Sequence, residues 1–116
     1  MSLLSRLFSA SAPDVEWLEQ AELRRSLDSG TPPLIVDVRE PDEFDGPLGH
    51  IEGAANIPLA ALSARTGELA VAERPIVTVC LTDKRSAKAA VELAAAGMKS
   101  VRVLRGGIKA WRQLAE

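Results

Sequence analysis

The chain has 116 residues, enough for one domain with a buried core, and 47% of them are apolar, which excludes an intrinsically disordered protein. The net charge of −2 and the aromatic content of 3% argue against a nucleic-acid-binding protein, which needs a basic surface and stacking side chains. One cysteine and one histidine cannot supply a disulfide or a metal cluster, so we expect no metal and no cofactor. A lone working thiol suits a reducing compartment best, and we therefore predict a cytoplasmic protein.

The first residues carry no clear structural signal. Serines interrupt the apolar residues of segment 1–13, whereas a signal peptide needs a continuous apolar stretch of about 7–15 residues. No stretch approaches the ~20 apolar residues of a membrane-spanning helix. We predict a flexible extension over 1–13, a folded domain over 14–116 and no membrane association.

The first half of the domain alternates between strand and helix patterns. Residues 15–18 fit either a short strand or the entry to a helix. Residues 19–27 have apolar positions at helical spacing, with acids early and arginines late. Residues 34–38 form a continuous apolar strand of the buried parallel type. A short helix with Pro41 near its start and a short strand over 54–57 follow.

The second half continues the alternation. Residues 59–69 predict one or two short helices with a break near Gly67. The remaining predicted elements are an apolar β-branched strand over 76–79, a helix that follows the hydroxyl of Ser86 and ends at Gly97, a strand over 101–104 and an amphipathic helix over 108–114. This order predicts an α/β fold, with a parallel sheet covered by helices on both faces.

The only cysteine follows the strand 76–79, where a short loop leads into a helix. This carboxyl edge of the predicted sheet is where α/β proteins bind ligands. Inward-pointing loop amides, the positive end of the following helix, and the cations Lys84 and Arg85 all favour a thiolate. We interpret Cys80 as a nucleophile, or as the carrier of an anionic sulfur species; an inert buried cysteine is the alternative.

An acidic residue lies near the end of the apolar strand 34–38. Burying the carboxylate of Asp37 is unfavourable by several kcal/mol unless it is paired, and Arg39 is the available partner. We therefore favour a structural ion pair that holds the loop over direct participation in catalysis.

Four segments match a known family in order and spacing: residues 34–44, residues 49–58, the loop 80–86 and residues 104–111. Each segment is weak alone, but together they are specific, and they make the chain resemble a single-domain rhodanese, a sulfurtransferase. The resemblance runs from Trp17 to Trp111. It implies a rhodanese-like fold, a five-stranded parallel sheet with helices on both faces.

The resemblance also implies an activity and roles for named residues. Cys80 takes the outer sulfur of thiosulfate or a persulfide donor, holds it as a persulfide, and passes it to cyanide or a thiol. Asp37 and Arg39 match supporting positions that orient loops, and His50 matches a structural turn position. The residues whose amides cradle the sulfur are Leu81, Thr82, Asp83, Lys84, Arg85 and Ser86.

Two positions depart from the family's usual loop. Asp83 stands where a glycine is common, and Leu81 where a basic residue is common. Both changes predict weaker thiosulfate binding and a shift to another sulfur donor. We expect the carboxylate of Asp83 to face outward and to pair with Lys84 or Arg85, or to cap the helix.

Three classes of function remain open after this comparison. The chain is either an enzyme, or a relay module that takes sulfur from a protein partner with little turnover of its own, or a regulatory domain. The intact cysteine argues against the regulatory class. A related group of phosphatases shares the fold and the cysteine, but its loop is one residue longer, so the shorter loop here favours sulfur transfer.

Overall fold

The computed structural model describes residues 14–114. The extension predicted over residues 1–13 lies outside the described residues, as do residues 115–116 of the predicted domain. Among the described helices, none combines the length and the apolar character needed to cross a membrane.

Five strands form one parallel sheet, as the sequence predicts. They are β1 (Glu16–Leu18), β2 (Leu34–Asp37), β3 (Ala55–Asn56), β4 (Ile76–Val79) and β5 (Val101–Leu104). Their order across the sheet is β1-β5-β4-β2-β3, and every neighbouring pair is parallel. The strand that precedes the cysteine, β4, is therefore central, and its four residues are all buried.

The helices differ from the prediction mainly at their ends. They are α1 (Gln20–Leu27), α2 (Pro41–Phe44), a 3₁₀ helix (Leu59–Arg65), α3 (Thr66–Ala72), α4 (Lys84–Ala95) and α5 (Gly107–Leu114). The break predicted near Gly67 falls instead between Arg65 and Thr66, so that Gly67 lies inside α3. Residues 16–18 are a strand and not the start of a helix, because they pair in register with β5.

Two apolar clusters cover the two faces of the sheet. Alternate residues of a strand point to opposite faces, which places Val77 and Val79 in one cluster and Ile76 and Cys80 in the other. The first cluster includes residues of α1 and α5, such as Leu23 and Ile108. The second cluster includes residues of the 3₁₀ helix, α3 and α4. Helices therefore lie on both faces, and the thiol is on the same side as α4.

Candidate active site

The thiol lies at the carboxyl end of the central strand, in contact with the first turn of α4. Cys80 is 1% exposed. Its Sγ lies 3.3 Å from the Oγ of Ser86, and the backbone N–H of Ser86 donates to Sγ at 3.4 Å. The sequence prediction placed the helix after Ser86, but α4 begins at Lys84, which turns the buried hydroxyl of Ser86 toward the sulfur. Two polar groups of Ser86 thus converge on the thiol, and its N–H is a donor.

A second helix holds the loop from behind. The N–H of Ile108 donates to the carbonyl of Cys80 at 2.9 Å, and the N–H of Lys109 donates to the carbonyl of Leu81 at 3.0 Å. Gly107 has φ +58°, and a Cβ there would clash with the carbonyl oxygens of Cys80 and Thr82. Only glycine therefore allows α5 to approach the loop this closely.

The turn before α5 is itself anchored by α1. The side-chain amide of Gln20 donates to the carbonyl of Arg105 at 2.7 Å and to that of Gly107 at 3.1 Å. Sequence reasoning missed this support because Gln20 and Gly107 are 87 residues apart. The only local signal is the pair Gly106–Gly107 at the start of the last helix.

The loop leaves backbone donors available beside the thiol. Among residues 14–114, the N–H groups of Leu81, Thr82 and Asp83 have no hydrogen-bond acceptor. The N–H groups in the first turn of a helix also lack partners within the helix, and the helix dipole makes that end positive. This arrangement is the one that the predicted sulfur cradle requires.

The cation of the loop has a partner that the sequence analysis did not identify. The guanidinium of Arg85 donates to both oxygens of Glu43, at 2.7 and 3.0 Å. This hydrogen bonding lowers the pKa of Glu43 to about 2. The pKa of Arg85 is raised, first by the bonds to Glu43 and to a lesser extent by the charge of Cys80. Arg85 therefore lies within electrostatic range of Cys80, but its positive charge is already paired with Glu43.

Asp83 does not take the role expected of it. It is the N-cap residue of α4 but its side chain makes no capping hydrogen bond. Among the described residues it forms no ion pair with Lys84 or Arg85. Its φ of −151° is negative, so the backbone does not need a glycine at this position.

The ion pair predicted between Asp37 and Arg39 is present and buried. The Arg39 side chain donates to Asp37 through Nε at 2.9 Å and Nη2 at 2.7 Å, and the two side chains are 1% and 2% exposed. Arg39 also donates to the carbonyls of Gly49 at 2.8 Å and Glu43 at 3.2 Å. The pair therefore ties the loop after β2 to the turn before β3.

His50 lies in that turn and takes a structural part. Its Nδ1 is 2.9 Å from the carbonyl oxygen of Phe44, and its ring stacks on the Phe44 ring with the centroids 3.6 Å apart. Among residues 14–114, no hydrogen bond links His50 to Cys80. The same part of the chain holds no cluster of three His, Cys, Asp or Glu side chains that fits a metal ion.

Comparison with known proteins identifies relatives over most of the described chain. The family model for the rhodanese-like domain matches residues 19–114. The uncharacterized protein YqhL of Bacillus subtilis is 43% identical over 77 residues, which are 66% of this chain and 59% of that protein. Thiosulfate sulfurtransferase GlpE of Shewanella oneidensis is 38% identical over 79 residues, which are 68% of this chain and 75% of that protein.

A solved structure extends the likeness to three dimensions. The crystal structure of a thiosulfate sulfurtransferase from Pseudomonas aeruginosa superposes with a TM-score of 0.80 at 27% identity. The match covers 97% of this chain and 21% of the Pseudomonas chain.

Proposed function

This chain belongs to the rhodanese-like domain family, and on that premise we propose that it is a sulfurtransferase in which Cys80 carries the transferred sulfur. The observation that carries the proposal is the pair of Ser86 groups on the sulfur, the N–H and the hydroxyl, both within 3.4 Å of Sγ and both able to donate to a thiolate. An inert core cysteine has no need of such partners. Both donors stabilise a thiolate, which is the form of cysteine that acts as a nucleophile.

The reaction has two displacement steps. The Cys80 thiolate attacks the outer sulfur of the donor, the donor's sulfur–sulfur bond breaks, and the leaving group departs with the bonding electrons; with thiosulfate it departs as sulfite. Cyanide or a thiolate acceptor then attacks the outer sulfur of the Cys80 persulfide. Thiocyanate or a new persulfide leaves, and the thiolate is restored. No external oxidant or reductant is needed, and the covalent intermediate divides the transfer into two easier steps.

Each part of the loop has a task in this scheme. In this proposal Ser86 stabilises the charge on Sγ, and the N–H groups of Leu81, Thr82 and Asp83, which lack an acceptor among residues 14–114, donate hydrogen bonds to the outer sulfur. The bonds from Ile108 and Lys109 fix the loop before the donor arrives. Because Cys80 is 1% exposed, the donor approaches through residues 81–85, all of them partly or fully exposed.

The test is sulfur transfer by the isolated chain and by Cys80→Ser. Transfer from thiosulfate or cysteine persulfide to cyanide is measured as thiocyanate formed. We expect the variant to lose at least about a thousandfold of the turnover. Its thermal unfolding should stay close to that of the wild type, because serine is nearly isosteric with cysteine. Retained turnover in Cys80→Ser would overturn the proposal.

The same assay separates an enzyme from a relay module. Rapid multiple turnover with small donors supports the enzyme. Slow turnover, together with fast loading of Cys80 from a partner protein's persulfide, supports the relay. The partners proposed in either case are a sulfur donor and a thiol or cyanide acceptor.

A further inference from the structure

We propose that Glu43 is a specificity-determining residue, which directs the sulfur site away from the thiosulfate dianion and toward persulfide donors of lower negative charge. The inference rests on the proposed function, because it names the class of donor that this site takes. It concerns a residue of α2 that makes no hydrogen bond to Cys80 among the described residues.

Glu43 is fixed in place independently of Arg85. Its Oε1 accepts the N–H of Glu40 at 3.1 Å in a capping box, and its carbonyl accepts Nη1 of Arg39 at 3.2 Å. Arg39 is in turn held by the buried Asp37. The carboxylate is thus presented to Arg85 by a rigid support, and both of its oxygens receive a guanidinium N–H.

The entrance of the site is formed by the loop 81–85 together with Glu43. The pairing of Glu43 with Arg85 leaves the net charge of these residues close to zero. The loop itself contributes the cations Lys84 and Arg85 and the carboxylate of Asp83, and Glu43 adds a second carboxylate, whereas Leu81 adds no charge. What remains to attract an anion is the set of loop amides and the positive end of α4, equivalent to about half a charge. These partial positive charges are enough to bind the terminal sulfur of a persulfide, which carries at most one negative charge. They do less for thiosulfate, which also brings a charged sulfonate.

The ion pair lies beside the loop through which we propose that the donor enters. In a displacement at sulfur the leaving group departs on the side opposite to the attacking thiolate. Cys80 is 1% exposed, whereas the side chains of Arg85 and Glu43 are 36% and 32% exposed. Arg85 directly precedes Ser86, whose N–H donates to Sγ, so the pair lies at the loop 81–85 and nearer the solvent than the thiol. A sulfonate there meets Arg85 with its charge already compensated.

The favoured first step balances without a further reactant. The Cys80 thiolate attacks the terminal sulfur of R–S–SH, the bond between the two sulfur atoms of the donor breaks, and Cys80 becomes the persulfide Cys–S–SH. The donor leaves as the thiolate R–S⁻ with the bonding electrons and takes up a proton from water. Arg85 does not act as an acid in this step, because its guanidinium stays protonated.

Glu43→Gln tests the inference, because the single oxygen of glutamine can keep the capping interaction, while the charge and one of the two acceptors of Arg85 are removed. We measure kcat/KM for sulfur transfer to cyanide with two donors, thiosulfate and cysteine persulfide. The freed charge of Arg85 should raise the value for thiosulfate about fivefold, and that for cysteine persulfide less than about twofold. The matched control is Glu68→Gln, which breaks the bidentate bonds from Arg65 and changes the net charge equally, but away from the loop. It should change neither value.

Equal gains with both donors, no gain with thiosulfate, or the same gain in Glu68→Gln would overturn the inference. A second measurement needs no Glu43 variant. In the wild type, kcat/KM for thiosulfate should depend only weakly on ionic strength, because a near-neutral entrance has little charge to screen. A steep fall with salt would contradict the proposal even if Glu43→Gln did not fold. Absence of transfer from both donors in the wild type would instead overturn the proposed function itself.

Discussion

Two carboxylate–guanidinium pairs lie next to each other beside the active loop, and they differ in burial rather than in geometry. Asp37–Arg39 and Glu43–Arg85 are both bidentate, and each has a closest N–O distance of 2.7 Å. The first pair is almost completely buried, while about a third of each side chain in the second is exposed. A buried charge that loses its partner is strongly destabilising, whereas an exposed pair contributes about 0–1 kcal/mol. The comparison supports a structural role for the buried pair, and it supports our proposal that the partly exposed pair sets the charge of the site.

The largest expected effect is that of Asp37→Asn on stability. The substitution leaves the guanidinium of Arg39 buried without a counter-charge, and we expect the free energy of unfolding to fall by about 3–5 kcal/mol. Urea denaturation at neutral pH measures it. The matched substitution in the other pair, Glu43→Gln, should lower it by no more than about 1 kcal/mol. Similar losses in the two variants would show that burial does not separate the pairs.

A smaller effect is the acid dependence of the exposed pair. The pKa of Glu43 in the folded chain is about 2, lowered from an ordinary value of 4.5, first by the hydrogen bonds from Arg85. A lowered carboxyl pKa stabilises the folded state at pH values above 4.5, and that contribution is lost as the pH falls toward about 2. Since the pair is partly exposed, we expect it to amount to about 1 kcal/mol or less.

Denaturation of the wild type and of Glu43→Gln over this pH range measures that contribution directly. The difference between the two proteins should be constant near neutral pH and should shrink to zero in acid. A difference that persists at the lowest pH would mean that Glu43 stabilises the fold through contacts other than its charge.

The smallest effect on stability is expected for Asp83→Gly. Asp83 lies in the active loop 80–86. Its carboxylate has no ion-pair partner among the described residues, and its side chain does not cap α4. Glycine is tolerated at an N-cap position, so the unfolding free energy should change by less than about 0.5 kcal/mol. Loss of the charge should raise thiosulfate turnover by less than about tenfold. A large loss of stability would reveal a structural role for this carboxylate.

Local patterns in the sequence predicted most of the fold. The apolar β-branched runs fix β2, β4 and β5 because both faces of a parallel sheet are buried. The short edge strand β1 was ambiguous, since three residues carry too little pattern and only pairing with β5 defines them. The N-terminus of α4 was misplaced because lysine and arginine can occupy a first helical turn as well as a loop.

The site was predictable only where its partners are close in sequence. Asp37 and Arg39 are two residues apart, and their pairing follows from the unfavourable burial of a lone carboxylate. Glu43 and Arg85 are 42 residues apart, and nothing local to either residue marks the other as its partner. The expectation that Asp83 pairs with Lys84 or Arg85, or caps the helix, was wrong among the described residues: sequence proximity suggested Asp83 as the partner of Arg85, and the fold supplies Glu43.

The central claim is that Cys80 carries the sulfur, and intact-mass measurement tests it most directly. The full chain is incubated with thiosulfate or cysteine persulfide and separated from excess donor, and its intact mass is measured by mass spectrometry. We predict a gain of one sulfur atom in the wild type, its removal by cyanide, and no gain in Cys80→Ser. A wild type that gains no sulfur from either donor, or a Cys80→Ser variant that gains as much, would contradict the account.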